Sequence, residues 1–113
     1  GVRYETLSKL VECLNKKFIP FVPEQGTVGA SGDLAPLSHM VLGMMGKGKA
    51  YDNDTDSYID SEIVLNKLNI EPLDNLGAKE GLALNNGTQY ITSLLSWRFY
   101  ILINIQVESC FIT

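Results

Sequence analysis

The stretch GTVGASGDL, residues 26–34, constrains the fold of this chain more than any other feature. It contains three glycines, and proline-bearing segments flank it on both sides. Pro20 and Pro23 block helix formation before it, so we predict an extended approach that leads into a tight turn. Asp33 stands directly before apolar residues at helical spacing, and Pro36 is tolerated in a first helical turn. The pattern therefore predicts a turn followed by a helix that the Asp33 side chain caps.

Helical spacing of apolar residues recurs along the chain and predicts a mainly α fold. The apolar residues between Leu7 and Leu14 indicate an amphipathic helix over about residues 5–17. The helix after Asp33 is predicted to end at Gly46. Ser61 is predicted to cap a short third helix, and residues 82–97 form a further, mainly helical stretch. The polar segment near 47–60 interrupts this pattern, and we predict a small hairpin-like excursion with two short strands there.

The C-terminal tail is compatible with two structures. Ile103, Ile105 and Val107 alternate with polar residues, as in a strand, but the apolar run around them also suits a buried helix. Residues 94–112 are not predicted to span a membrane, because such a span would bury Arg98 and several polar side chains.

Two segments match only part of a ligand-binding motif. Residues 43–49 fit the G-x4-G-K part of a nucleotide-binding loop, but Ala50 follows in place of the Ser or Thr that binds Mg²⁺. That stretch also ends a predicted helix, and a helix C-terminus repels phosphate. The acidic residues of 52–56 resemble the start of a calcium loop, but the required Gly and Glu are missing at its sixth and twelfth positions. We interpret these segments as a helix end with a turn, and as a solvated loop.

Composition narrows the class of protein further. The net charge of −4, without a cluster of Lys or Arg, argues against a nucleic-acid surface. His39 is the single histidine, and with two distant cysteines it cannot assemble a metal site. Cys13 and Cys110 are predicted to be free thiols in a reducing compartment. The N-terminal residues lack the apolar region of a signal peptide, so we expect a cytoplasmic location.

The triplet Ala30-Ser31-Gly32 has a specific chemical possibility beyond a tight turn. Glycine has no side chain to keep its amide nitrogen away from the carbonyl two residues earlier. Attack of the Gly32 nitrogen on the Ala30 carbonyl carbon would close a five-membered ring, and loss of water would give an imidazolone. Loss of a second water from the Ser31 side chain would leave an exocyclic methylene, which is an electrophile. A compressed turn favours such closure by proximity.

Two segments in the right order resemble the aromatic amino acid ammonia-lyase family. They are GTVGASGDLAPLSHM and, further along the chain, KEGLALNNGTQ. The resemblance covers about residues 1–94, and it implies the helical ammonia-lyase fold for this core segment. Residues 95–113 do not resemble the family and are treated as a divergent tail. Residues 27–29 and 36–39 are most similar to the members of the family that act on L-histidine.

The resemblance implies an activity and roles for particular residues. Ala30, Ser31 and Gly32 would be the precursors of 4-methylidene-imidazole-5-one (MIO), and Asp33 would support their cyclisation. Asn86 would polarise the MIO ring and help to hold the substrate. The expected reaction releases ammonia from L-histidine to give trans-urocanate, without a metal. Phenylalanine or tyrosine ammonia-lyase and aminomutase activities are the alternatives.

The same resemblance sets expectations about assembly. His39 and Gln89 are further candidates for the site, although a lone histidine is more often structural. Other catalytic residues of the family lie outside this segment, and each active site of the family draws on three of four subunits. A homotetramer is therefore expected for a full-length protein, and a catalytically incomplete fragment for the present chain alone. Asn85 stands where the family has an apolar residue, and a polar group there is costly if buried without a partner.

Overall fold

The computed structural model describes residues 1–26 and 32–112, with side chains up to residue 107. Its elements in chain order are α1 (Tyr4–Asn15), α2 (Leu34–Met44), β1 (Lys49–Asp52), β2 (Ser57–Asp60), α3 (Ser61–Lys67), α4 (Glu80–Asn85) and α5 (Gln89–Ile112). The predicted mainly α fold with a hairpin-like excursion is confirmed. The helices predicted before and after the glycine stretch correspond to α1 and α2.

The hairpin adds a small antiparallel sheet to one side of the helices. Strands β1 and β2 pair with Ala50 opposite Ile59. The segment before the glycine stretch lies alongside β1, because Phe21 donates its N–H to the Lys49 carbonyl at 2.8 Å. The Phe21 ring also meets the Tyr58 ring edge to face, with centroids 5.0 Å apart. The hairpin therefore fixes the direction in which the chain approaches residue 26.

Helix α2 ends in a Schellman motif. Gly46 has a φ of +77° and donates its N–H to the Gly43 carbonyl at 3.1 Å, while Lys47 donates to Leu42 at 2.9 Å. These bonds satisfy carbonyls that a helix end leaves without partners. The predicted helix end at Gly46 is confirmed. Residues 43–48 form this helix end and the turn after it, and Lys49 is the first residue of β1.

Ser61 does not cap α3 as predicted. It is the first residue of the helix, and the residue before it, Asp60, holds the cap position without a side-chain capping bond. Ser61 is fully buried against the end of α2, where its hydroxyl donates to the carbonyls of Gly43, at 3.1 Å, and Lys47, at 3.3 Å. The hydroxyl therefore bonds the last turn of α2 and the turn that follows it, which are the backbone acceptors next to its buried position.

The apolar core lies between α1, α2, α3 and β1. Its buried members are Cys13, Phe18, Met44, Ala50, Val64, Leu65 and Ile70. At the edge of this core, Gly43 of α2 packs against Pro20. Gly43 is buried, and a Cβ on it would lie 2.7 Å from the Pro20 Cβ. The absence of a side chain at Gly43 therefore allows the proline segment to cross α2.

The tail adopts the helical alternative. Helix α5 is 24 residues long and includes residues 94 and 95, between which the resemblance to the family is predicted to end. The division of the chain into a core segment, 1–94, and a divergent tail, 95–113, stays a prediction. Its described side chains are mostly exposed, rather than buried as in a core helix. Large apolar residues at 37–64% exposure occur on all sides of it: Ile91, Leu94, Leu95, Trp97, Phe99, Tyr100, Leu102, Ile103, Ile105 and Val107. Among the helices of residues 1–26 and 32–112, none is long and apolar enough to cross a membrane.

We predict that Gly43→Ala destabilises the fold by about 1–3 kcal/mol, because the new methyl group overpacks the contact with the rigid Pro20 ring. Gly81→Ala is the matched helical control, since a Cβ there would meet its nearest neighbour at an ordinary 3.8 Å. Urea unfolding measures both variants. Equal midpoints for Gly43→Ala and Gly81→Ala would contradict the close approach of α2 and Pro20.

Candidate functional site

The candidate site lies where the glycine stretch enters α2. Ala30 and Ser31 lie outside the described residues, so the predicted cyclisation of these two with Gly32 stays a prediction. Gly32 and Asp33 are described, as are Asn86, His39 and Gln89. The structure brings the first three together.

Gly32 lies in direct contact with the segment between α4 and α5. Its φ is +112°, a conformation that residues with a side chain rarely adopt. A Cβ on Gly32 would lie 2.9 Å from Asn86 Oδ1 and 3.3 Å from the Gly87 carbonyl oxygen. Both the backbone conformation and the space around it therefore require glycine, and the Asn86 amide occupies the position next to it.

Asp33 joins the glycine stretch to the start of α5. Its N–H donates to the Gly87 carbonyl at 2.6 Å, and its carboxylate accepts the N–H of Ile91 at 3.0 Å. The side chain is fully buried. Asp33 occupies the cap position of α2, but its side chain makes no capping bond to that helix, so the predicted cap is wrong. The carboxylate instead caps α5, because the first turn of α5 presents its N–H groups and positive dipole end to it.

Helix α4 presents Asn86 to this junction. Asn86 follows the last residue of α4, and its N–H continues the helical pattern by donating to Leu82 at 2.9 Å. The preceding residue, Asn85, donates its side-chain amide to Ser38 of α2 at 3.2 Å. The Asn85 Oδ1 atom is buried and has no hydrogen-bond partner among the described residues, which is costly. The polar side chain at residue 85 thus adds a bond between α4 and α2 at the expense of one unsatisfied acceptor.

The remaining candidates lie around this junction. His39 is exposed on α2. Gln89 begins α5, and its side chain folds back over Gly87, where it would overlap any Cβ. Gln89 also lines a largely apolar cleft of about 360 Å³ together with Pro36 and Leu37. Within residues 1–26 and 32–112, no three His, Cys, Asp or Glu side chains are grouped as ligands of a metal ion.

Glu80, which the sequence pattern did not single out, is a buried carboxylate near the site that accepts several hydrogen bonds. It is the first residue of α4, and it is buried to 2% exposure. Its oxygens accept hydrogen bonds from Arg3 Nε at 2.7 Å, the Arg3 N–H at 3.0 Å, Thr6 Oγ1 at 3.0 Å and the Gly77 N–H at 3.1 Å. The bonds from Arg3, first that of its side chain and then that of its backbone, lower the pKa of Glu80 to about 2 against the opposing effect of burial. Acidic residues are common at helix starts, so the sequence alone does not indicate that Glu80 has these hydrogen-bond partners.

Comparison with known proteins identifies the class. A family model described as aromatic amino acid lyase matches residues 1–110. The chain belongs to the aromatic amino acid lyase family.

Several members of the family resemble the chain closely. It is 51% identical to the histidine ammonia-lyase of Homo sapiens over 94 residues, which are 83% of this chain and 14% of that protein. It is 48% identical to histidine ammonia-lyase 1 of Fusobacterium nucleatum over 105 residues, 93% of this chain and 20% of that protein. The chain thus spans a fifth or less of the length of these curated relatives.

Solved structures agree with this assignment. The crystal structure of histidine ammonia-lyase from Trypanosoma cruzi superposes with a TM-score of 0.75 and 47% identity, covering 82% of this chain and 18% of that one. The tyrosine aminomutase of Streptomyces globisporus gives a TM-score of 0.66 at 40% identity, over 77% of this chain and 15% of that one. The helical fold of the chain is that of the ammonia-lyases.

We predict that Gly32→Ala destabilises the protein by about 1–3 kcal/mol, because it combines an unfavourable φ with a clash against Asn86. Gly48→Ala is the control, since Gly48 also has a positive φ but open space around it. Urea unfolding of the two variants separates the clash from the backbone strain. A loss for Gly32→Ala no larger than that for Gly48→Ala would contradict the contact with Asn86.

The lowered pKa of Glu80 predicts a loss of stability in acid. In the folded state the pKa of this carboxyl is about 2, below its ordinary value of 4.5. Its contribution is therefore fully present above pH 4.5 and is lost as the pH falls towards 2. Glu80→Gln should lower the urea midpoint at neutral pH and flatten its decline between these pH values. Parallel declines for wild type and variant would exclude Glu80 as the titrating group.

Proposed function

We propose that this protein, at its natural length, eliminates ammonia from L-histidine to give trans-urocanate. The observation that carries the proposal is the position of the Asn86 amide beside Gly32, the residue that follows Ala30-Ser31 in the sequence. This arrangement occurs in a chain that belongs to the aromatic amino acid lyase family. Identities of about 50% to proteins named histidine ammonia-lyase favour L-histidine as the substrate.

The residues around Gly32 fit a MIO ring formed from Ala30, Ser31 and Gly32 with loss of two waters. Ring closure requires a residue without a side chain at the attacking nitrogen, and Gly32 has neither a Cβ nor space for one. The ring would supply an electrophile for the amino group of the substrate. Ring closure also needs its residues to be held in place, and Asp33 is proposed to support it, because Asp33 follows Gly32 directly and binds both Gly87 and Ile91.

Asn86 is proposed to bind both the ring and the substrate. Its side-chain amide offers a carbonyl acceptor and two N–H donors, so it can bind a carbonyl oxygen and an amino group. Its position at the end of a helix, next to a backbone bond between Asp33 and Gly87, restricts its movement. Gln89, folded over Gly87, and His39 are retained as further candidates for substrate contacts.

A homotetrameric, cytoplasmic enzyme acting on a small amino acid is the proposed assembly, without nucleic acid or membrane as partner. Helix α5 supports association, because its apolar side chains are exposed on all sides. A helix that is hydrophobic all round is normally buried. Further helices, from the same protein or from other subunits, are proposed to cover it, and a chain without them would be catalytically incomplete.

A tyrosine or phenylalanine substrate is the second candidate. The match to a tyrosine aminomutase at 40% identity favours it over unrelated chemistries. The amino acid that is consumed distinguishes L-histidine from tyrosine or phenylalanine. The products then distinguish a lyase, which releases free ammonia, from an aminomutase, which retains the amino group on the product. Incubation with each amino acid, followed by analysis of ammonia and of the organic product, decides between them.

We predict that the intact mass of the protein is lower than its sequence mass by two waters, and that Ser31→Ala abolishes this deficit. Ser8→Ala, at an exposed position of α1, is the control and should retain it. Asn86→Ala should lower kcat for L-histidine by about 10²–10³-fold, since it removes a preorganised hydrogen-bonding group. An unmodified wild-type mass would contradict the ring, and release of no ammonia from L-histidine would contradict the reaction.

A further inference from the structure

Helix α4 is too short to hold its own position. It has six residues, and isolated helices of this length are not stable in water. Its location therefore depends on bonds to other elements. Asn86, which the proposed function places at the ring, follows directly after it. Whatever fixes α4 also fixes Asn86.

The start of α4 is bonded to the start of α1 through one buried carboxylate. Arg3 approaches Glu80 with its side-chain Nε and with its backbone N–H, and Thr6 adds a hydroxyl from the first turns of α1. The Arg3 Nη2 atom also donates to the Asn75 carbonyl at 2.8 Å, so the guanidinium binds the loop before α4 as well. The carboxylate accepts these bonds almost without contact with water, and charge-assisted bonds of this kind are strong and directional.

The end of α4 is bonded to Asp33 and to helix α2. Gly87 accepts the N–H of Asp33, and Asn85 binds Ser38. The distance along the helix between Glu80 and Asn86 is only roughly 9 Å, from six steps of the helical rise. A shift or rotation at Glu80 therefore reaches Asn86 with little attenuation. Asn86 Oδ1 lies beside Gly32 in a position that a Cβ on Gly32 would not leave open, so the contact depends on where α4 ends.

We propose that Glu80, held by Arg3, is a positioning residue that sets the place of the Asn86 amide beside Gly32. The catalytic part of this inference rests on the proposed function. Glu80 does not touch the reacting atoms; it acts through α4. Glu80→Gln keeps the shape of the side chain but replaces one acceptor oxygen with an amide that faces N–H donors.

The experiment compares amide hydrogen exchange and kinetics in the protein at its natural length. The variants are Glu80→Gln, the milder Arg3→Lys, which keeps the charge but loses the guanidinium fork, and the double variant Arg3→Lys/Glu80→Gln. Asp52→Asn is the matched control, because Asp52 is also a buried carboxylate paired with a basic side chain, Lys67 Nζ at 2.9 Å, but it lies in the hairpin.

We expect Glu80→Gln and Arg3→Lys to speed exchange at residues 82–88 but not at residues 61–68, and Asp52→Asn to do the reverse. Glu80→Gln should also lower kcat for L-histidine by about 10–100-fold, as a misplacement of up to 1 Å would. The effects of Arg3→Lys and Glu80→Gln should be less than additive in the double variant, because the two side chains share one ion pair.

Unchanged exchange at residues 82–88 in Glu80→Gln would overturn the proposal. So would faster exchange there with kcat equal to that of Asp52→Asn. The exchange measurement is independent of the reaction. If the wild type releases no ammonia from L-histidine, the proposed function fails, and the exchange comparison still decides whether Glu80 holds the segment that contains Asn86.

Discussion

The contact between Gly32 and the segment after α4 is the constraint on which the rest of the site depends. There is no space for a Cβ between Gly32 and Asn86, and the Asp33 N–H donates to the Gly87 carbonyl at only 2.6 Å. Two parts of the chain that are distant in sequence therefore meet backbone to backbone. This approach places a side-chain amide beside the one residue of the Ala-Ser-Gly triplet that the structure describes.

Two buried carboxylates, Asp33 and Glu80, fix the two segments that meet at the contact between Gly32 and Asn86. Asp33 binds the first turn of α5, and Glu80 binds α1 at the opposite end of α4. Burial of an unpaired charge would be prohibitive, but Glu80 accepts several N–H or O–H bonds and Asp33 accepts the Ile91 N–H. The apolar core between α1, α2, α3 and β1 supplies the frame, whereas these polar contacts position α4 against α1 and α5 against the start of α2.

The sequence predicts the elements of this fold better than their polar contacts. Apolar periodicity is local, so α1, α2 and the hairpin follow from it, and Gly46 ends α2 as expected. The position of Asp33 at a helix start is also local, but its partner, the Ile91 N–H, belongs to another helix. Ser61 and Glu80 have polar side chains at helix starts, where local capping is the ordinary expectation. Their actual partners are set by tertiary packing, which no pattern of neighbouring residues encodes.

The most direct test of this account is a crystal structure of the protein at its natural length, with density for residues 30–32. The account predicts a covalent distance of about 1.4 Å between the Gly32 nitrogen and the Ala30 carbonyl carbon. It also predicts the Asn86 amide within hydrogen-bonding distance of the ring. An open Ala-Ser-Gly peptide, or a closed ring with Asn86 turned away from it, would contradict the account.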